Sequence, residues 1–211
     1  WWVPVRYTNL DDDQNWEGGY LSDLYFADLY DAYGNFSTWD SNGNGKFAEW
    51  NSLGKDILDM FPEVSVGRLA CKNVKEVTTL VNKIVTYENT TAGKEWFDSV
   101  VVVGGDSAPN ATDPWFEGEE ENKLALEYMT SFEGTRLWTS NGNFTGPQDV
   151  IDAISAGCGF LFFDGHGNPM SWSTHPPYND SIWINGLQVK DMKKLTNGQQ
   201  LPVTVCGGCH N

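Results

Sequence analysis

The sequence predicts an α/β fold built on a mostly parallel β-sheet with helices on both faces. Three observations carry that prediction. From residue 61 onward, segments of strand character alternate with segments of helical spacing, as in consecutive βαβ units. Two of the strand segments, "SVVVVGG" (99–105) and "GFLFFDGHG" (159–167), are almost wholly apolar, as strands are when both faces of their sheet are covered. The segments between them carry apolar residues at helical intervals, giving each helix one face to lay on a sheet.

Taken in order, residues 1–60 read as loop-rich, with aspartates and aromatics mixed in "NLDDDQNW" and "YLSDLYFADLYDAYGNF". "EVSVGRLA" (63–70) reads as a strand by its β-branched alternation, and "VKEVTTLVNKIVTYENT" (74–90) as an amphipathic helix with Val77, Leu80, Val81, Ile84 and Val85 on one side. After the strand at 99–105 come a helix over 119–132, a strand over 135–140, and a helix over 147–157 that starts at Pro147 and stops at Gly157. The apolar strand at 159–167, a short helix within "NGLQVKDMKKLTNG" and a last strand in "LPVTVCGG" complete the series. No repeat and no low-complexity linker interrupts it, so 1–211 reads as a single domain, a loop-rich portion (1–60) before an α/β core (61–211). It also reads as a piece of a longer protein, opening on bulky apolar residues and stopping just after a strand.

Composition narrows the function classes. With 29 Asp and Glu against 13 Lys and Arg, the net charge is −16. Such a field repels nucleic acid and anionic membranes and favours cationic partners and metal ions. No stretch approaches the roughly 20 consecutive apolar residues of a membrane span, and "WWVPVRY" lacks the basic and apolar regions of a signal peptide. Five Asn-x-Ser/Thr sequons, at Asn35, Asn89, Asn110, Asn143 and Asn179, point to an extracellular or cell-surface glycoprotein. Four cysteines are too few for a disulfide-built scaffold.

Three polar groups fall where ligands gather in such folds, beyond the carboxyl ends of strands: Asp106 after "VVVVGG", His166 after "FLFFDG" and Cys209 after "VTVCGG". A thiol and an imidazole held on a rigid frame, each beside glycine, are the parts of a nucleophilic dyad. Other readings use the same residues. "CGGCH" spells a c-type haem attachment site through Cys206, Cys209 and His210, with Met129, Met170, Met192 or His175 as sixth ligand. Cys206 and Cys209 are also spaced as a redox pair, although a thioredoxin-like motif would open a helix. A non-catalytic cell-surface module that keeps a peptidase-like fold suits the sequons and the acidity.

"DSNGNGKFAEWN" (40–51) follows the first half of a calcium-binding loop. Asp40, Asn42 and Asn44 occupy ligand positions one, three and five, Gly45 the sharp turn, and the Lys46 carbonyl the next position. Asn51 stands where a bidentate glutamate is expected, with Glu49 close by; Asp28 and Asp31 are further acids nearby in sequence. The cation would be structural, tying down the loop-rich third, whereas "LDDD" (10–13) reads as solvated surface.

Three blocks, "EVSVGRLACKN…EVTTLVNKIVTYENT", "GFLFFDGHGNPMSW" and "VKDMKKLTNGQQLPVTVCGGC", together resemble the gingipain family of cysteine peptidases, in the caspase-like clan. The resemblance runs from about Ser22 to the end of the chain. It is most specific at Gly165-His166-Gly167 with the following Trp172, and at Leu195-Thr196-Asn197 and Leu201-Pro202 ahead of Cys209-x-Asn211. It implies a caspase-like fold and an endopeptidase working through a thioester acyl-enzyme, with Cys209 as nucleophile and His166 as general acid/base. The backbone N–H groups of Gly167 and Cys209 would form the oxyanion site. Asp106 falls where the family has a carboxylate near the histidine, and Glu117 where arginine-specific members have the acid that selects a basic P1 residue. Both positions exchange Asp and Glu relative to the family, and Cys206 adds a second thiol whose disulfide with Cys209 would silence the enzyme. The partners implied are protein or peptide substrates and further segments of the same precursor, and the family's calcium sites agree with the loop at 40–51.

Overall fold

Polar side chains do much of the work in the first of the two units into which the chain divides, Trp1–Val77. The computed structural model describes residues 4–10, 19–50 and 54–209. Two short strands, β1 (Asn9–Leu10) and β2 (Glu49–Trp50), pair in parallel. Trp39 is buried, and its indole N–H donates to Asp28 at 2.6 Å. Asp56 accepts the Ser41 N–H at 2.8 Å and the Glu49 N–H at 2.7 Å. The Arg6 guanidinium lies over the Phe47 ring at 3.6 Å, a cation–π contact.

The strand expected over residues 63–70 does not form: that segment bends at Glu63–Val64, is exposed throughout, and joins no sheet among the described residues. Its β-branched alternation supplies an apolar face, but a strand also needs a neighbouring edge. Here single bonds fix the segment instead. The N–H groups of Glu63 and Val64 donate to the Ala27 carbonyl at 3.0 and 3.3 Å, and the Arg68 fork grips Asp23 at 2.7–2.9 Å.

Helix α1 (Val74–Thr90) matches its predicted range and crosses the boundary between the units. Asn73 accepts the Glu76 N–H at 3.0 Å while Glu76 reaches back to the Lys72 N–H at 2.7 Å, a capping exchange that defines the helix start. Its apolar residues Val81, Ile84 and Val85 remain exposed.

The second unit, Thr78–Asn211, holds a parallel sheet of β3 (Ser99–Gly104), β4 (Glu133–Trp138), β5 (Phe160–Asp164) and β9 (Val203–Gly207), in the order β4-β3-β5-β9. Between them come α2 (Glu117–Tyr128), α3 (Pro147–Ala156) and an antiparallel sheet of β6 (His166–Asn168), β7 (Ser171–Thr174) and β8 (Ile184–Gln188). A 3₁₀ turn over Val189–Lys194 stands where a short helix is expected. Alternation along β3 serves both faces. Val101 and Val103 join Val150, Ile151 and Ile154 of α3 in the core, while Gly104, of the other register, abuts Gly118 and Asn122 of α2. The helices therefore cover both faces.

The chain runs from β3 outward to β4, then back across to β5 on the other side of β3. That reversal is a topological switch point, and it opens a crevice at the carboxyl ends of β3 and β5. The strand expected over 159–167 stops there. Gly165, at φ +156°, would crowd a Cβ to 3.0 Å from Phe163 and 3.1 Å from the Ser173 carbonyl, and it redirects the chain into β6. Trp172 then stacks on Phe163 with ring centroids 4.9 Å apart, fastening the small antiparallel sheet to the core.

Candidate active site

β5 and β9 are hydrogen-bonded parallel neighbours in the register Asp164↔Gly207, and the Gly165 N–H donates to the Gly207 carbonyl at 3.0 Å. His166 and Cys209 each lie two residues past that rung, on the same edge of the sheet. Cys209 is exposed in the turn after β9 and its thiol is free. No hydrogen bond joins it to His166 among the described residues. Gly167 follows the imidazole in β6, opposite Trp172.

The imidazole is held from the loop after β3. His166 Nε2 lies 2.7 Å from the Ser107 carbonyl oxygen. A carbonyl only accepts, so Nε2 carries the proton and Nδ1 is left as the basic nitrogen. The His166 ring also meets Trp183 edge-on at 5.1 Å and His175 at 5.8 Å; His175 packs on Trp183 and is pinned through Nδ1 to the Ile182 carbonyl at 2.7 Å.

Asp106 is placed otherwise than the imidazole-orienting role requires. It is 1 % exposed, and its backbone exchanges two 3.1 Å hydrogen bonds with His175. Its Oδ2 accepts the Tyr178 N–H at 3.2 Å, and its Oδ1 is buried with no hydrogen-bond partner among the described residues. Burial holds this carboxyl above the usual range, and the Glu117 charge adds to that. The group that touches the imidazole is the Ser107 carbonyl, and a main-chain oxygen has no side-chain signature in the sequence.

Glu117 opens α2, two residues earlier than that helix is expected to start. Its Oε2 accepts the Ser107 N–H and hydroxyl, both at 3.0 Å, and the Ala108 N–H at 3.3 Å. Burial works to raise this carboxyl, but these donors and its own N–H outweigh it and hold it below the usual range. Nearby, Asp164 is pushed up to about 6 by burial and by the charges of Glu121 and Glu117. Cys206 faces Phe163 across the β5–β9 ladder, packs against the core, and is pushed up to about 11 by burial and the Asp164 charge. A core-packed Cys206 is poorly placed for a haem thioether, and all four thiols are free. His210 and Asn211 lie outside the described residues.

In the calcium-like loop, Gly45 takes φ +81° and Asp40 accepts the N–H groups of Asn44 and Gly45, each at 2.9 Å. The buried Glu49 carboxylate gathers the amide nitrogens of Asn44 (2.7 Å) and Asn42 (3.3 Å) and the Lys46 ammonium (3.4 Å). Asn51 lies outside the described residues, as do Asp11–Asp13. Asp28 and Asp31 have local partners: Trp39 for the first, and the Tyr33 and Asn35 N–H groups for the second.

The fold is thus a parallel α/β sheet with a free thiol and an imidazole beyond the carboxyl ends of two paired strands. The chain belongs to peptidase family C25, whose family model matches residues 1–211. It is similar to Gingipain R2 and Gingipain R1 of Porphyromonas gingivalis, at 24 % identity over 155 residues, covering 72 % of this chain and 20 % and 14 % of those proteins. Lys-gingipain of the same organism is 24 % identical over 144 residues, covering 66 % of this chain and 8 % of that protein. The crystal structure of the Arg-specific cysteine proteinase gingipain R shares the fold, with a TM-score of 0.56 at 23 % identity, over 71 % of this chain and 33 % of that one. The chain thus spans a fifth or less of these curated relatives and a third of the solved chain.

Proposed function

We propose that this chain carries the nucleophile and general base of an extracellular cysteine endopeptidase that prefers a basic P1 residue. The observation supporting the dyad most directly is the β5–β9 register, which sets His166 and Cys209 beyond one rung of a parallel ladder. His166 Nδ1 takes the Cys209 proton, and the thiolate adds to the scissile carbonyl carbon. The resulting oxyanion is met by the N–H groups of Cys209 and Gly167. Collapse breaks the C–N bond, the imidazolium protonates the departing amine, and a thioester remains. Water, deprotonated by the same imidazole, then releases the acid and restores the thiol.

The basic P1 preference draws on an acidic switch point, where Asp164, Glu117 and Glu121 interact as like charges, and on similarity to proteins named for arginine and lysine. The extracellular setting draws on the sequons: Asn35, Asn89, Asn110 and Asn143 are exposed and Asn179 is half-buried. No helix among the described residues is long and apolar enough to cross a membrane. The test is a panel of fluorogenic peptides with Arg, Lys, Asn or Asp at P1, assayed under reducing conditions. Turnover of the Arg and Lys peptides above the others is expected. A folded protein that turns over none of the four overturns the peptidase reading in favour of a structural module.

A structural calcium ion is part of the same proposal. The donor set fits a hard cation: carboxylates from Asp40 and Glu49, amide oxygens from Asn42 and Asn44, and the Lys46 carbonyl. The two amides turn nitrogen toward Glu49, while their oxygens accept the Asn44 and Lys46 N–H groups at 3.0 and 2.8 Å and keep a lone pair each for a cation. Among the described residues no group of three Asp, Glu, His or Cys side chains is arranged to hold a metal, so this loop would bind with modest charge. Millimolar calcium is expected to raise Tm by a few degrees, on the order of 1–2 kcal/mol, in the parent but not in Glu49→Gln. Equal melting of the parent with calcium and with chelator would remove the ion from the proposal.

A further inference from the structure

The Ser107–Ala108 peptide group touches both the candidate base and a carboxylate. Its carbonyl accepts from His166 Nε2 at 2.7 Å, and its N–H, that of Ala108, donates to Glu117 Oε2 at 3.3 Å. The same Oε2 clamps Ser107 from its other side through the Ser107 N–H and hydroxyl, both at 3.0 Å. A continuous chain of hydrogen bonds therefore runs from the carboxylate through one peptide unit to the imidazole. Hydrogen bonds in series polarise one another. An anion at the N–H end draws the peptide's electrons toward the carbonyl oxygen and strengthens its hold on Nε2–H, most of all when the ring is an imidazolium.

We propose that Glu117 is a positioning residue for His166, acting through the Ser107–Ala108 peptide and doing for this imidazole what a buried aspartate does in a Ser-His-Asp triad. The proposal rests on the peptidase reading for its consequence in catalysis but not for its effect on the imidazole. Asp106 also draws on the Ala108 N–H, but its Oδ2 is engaged by the Tyr178 N–H at 3.2 Å, and the Ser107 N–H and hydroxyl go to Glu117. The other titratable groups around the site, His175 from the loop after β7 and Asp164 from β5, make no hydrogen bond to the His166 ring. Glu117 thereby takes a duty distinct from selecting P1 charge: a positioning residue affects every substrate, a selecting one only the basic substrates.

The variants are Glu117→Gln, which keeps shape and loses charge, and Glu117→Asp, which keeps charge. In the parent, Glu117→Gln is expected to lower kcat about tenfold or more, by the same factor on Arg-P1 and Asn-P1 peptides and with KM little changed. Glu117→Asp should recover part of the loss. Independently of turnover, the His166 Nε2–H resonance is followed by NMR with and without Glu117→Gln in a Cys209→Ala background, which removes the thiol. It is expected to move upfield as the Ser107 carbonyl loses electron density and its hydrogen bond weakens. An unchanged Nε2–H resonance overturns the proposal even where hydrolysis is lost. A KM increase confined to basic P1 peptides, with kcat intact, overturns it too and returns Glu117 to substrate selection. If the parent hydrolyses nothing, the Nε2–H resonance still decides the relay, so the two readings fail separately.

Discussion

Cys209→Ala is expected to abolish Arg-P1 peptide hydrolysis, a fall in kcat of about 10⁴-fold or more, while Cys206→Ala is expected to keep most of it. The contrast follows from where the two thiols lie. Cys206 is inside a strand, packed on the core, and pushed up to about 11, so almost none of it is thiolate at neutral pH. Cys209 lies past the end of that strand, exposed and beside the edge that presents His166. His166→Ala should fall nearly as far, because nucleophile and base act as one unit and their losses do not add. The check is kcat and KM for all three variants, with active-site alkylation to count competent thiols. Full activity in Cys209→Ala would show that the dyad is misassigned. Loss in Cys206→Ala, with the fold intact, would make the strand thiol part of the chemistry.

The second large effect is on stability. Gly118 lies in the first turn of α2, where the helix comes down onto the ends of β3 and β5. A Cβ there would stand 2.5 Å from the Asp164 carbonyl oxygen, 3.0 Å from that of Gly105 and 3.1 Å from the Gly105 nitrogen. All three are backbone atoms, two of them in a buried strand-end segment, so no side chain can swing away to relieve the clash. Gly118→Ala is expected to destabilise the protein by about 3 kcal/mol, the upper range for overpacking, and to lower Tm by roughly 6–12 °C for a domain of this size. The helix must lift, and Glu117 lifts with it, so activity below Tm should drop further than stability alone accounts for. Gly67→Ala is the control: a Cβ there meets nothing within 4 Å, and a change within about 0.5 kcal/mol is expected. Equal thermal melts for Gly118→Ala and the parent would mean that the helix does not seat as closely as described.

The sheet was legible because long apolar segments bounded by glycine admit few alternatives. β3 and β9 fall within the predicted segments, and the helices that cover the sheet were found to within a few residues at their ends. The antiparallel sheet β6–β8 was not legible. Its strands are three to five residues long and mix polar with apolar residues, too short for a period of two to stand out. Residues 63–70 show the opposite error: a genuine β-branched alternation without an edge to pair with. At the site, sequence could point to Cys209 and His166 because thiols and imidazoles are scarce here, with four Cys and three His, whereas Glu117, one of 29 acids, was singled out only through the family resemblance. It could not point to the Ser107 carbonyl, nor show that Asp106 is spent on the His175 and Tyr178 backbone. Gly104 and Gly118 were visible as glycines, but the reason for them, a Cβ at Gly104 meeting the Gly118 carbonyl and one at Gly118 meeting the Asp164 carbonyl, lies in the packing alone.

The parallel pairing of β5 with β9 also bears on when the site comes into being. The ladder joins Phe160 to Val203 and Asp164 to Gly207, residues separated by the whole antiparallel sheet and the 3₁₀ turn. Such non-local pairings form late, because a long loop must close before they return any energy. A chain emerging from the ribosome completes β3, β4 and β5 well before β9 can dock, and domains fold broadly in the order of synthesis. Until β9 docks, the imidazole has its tether on Ser107 but the Cys209 thiol is not beside it. A site divided between these two strands has both its halves only after their long-range pairing has closed.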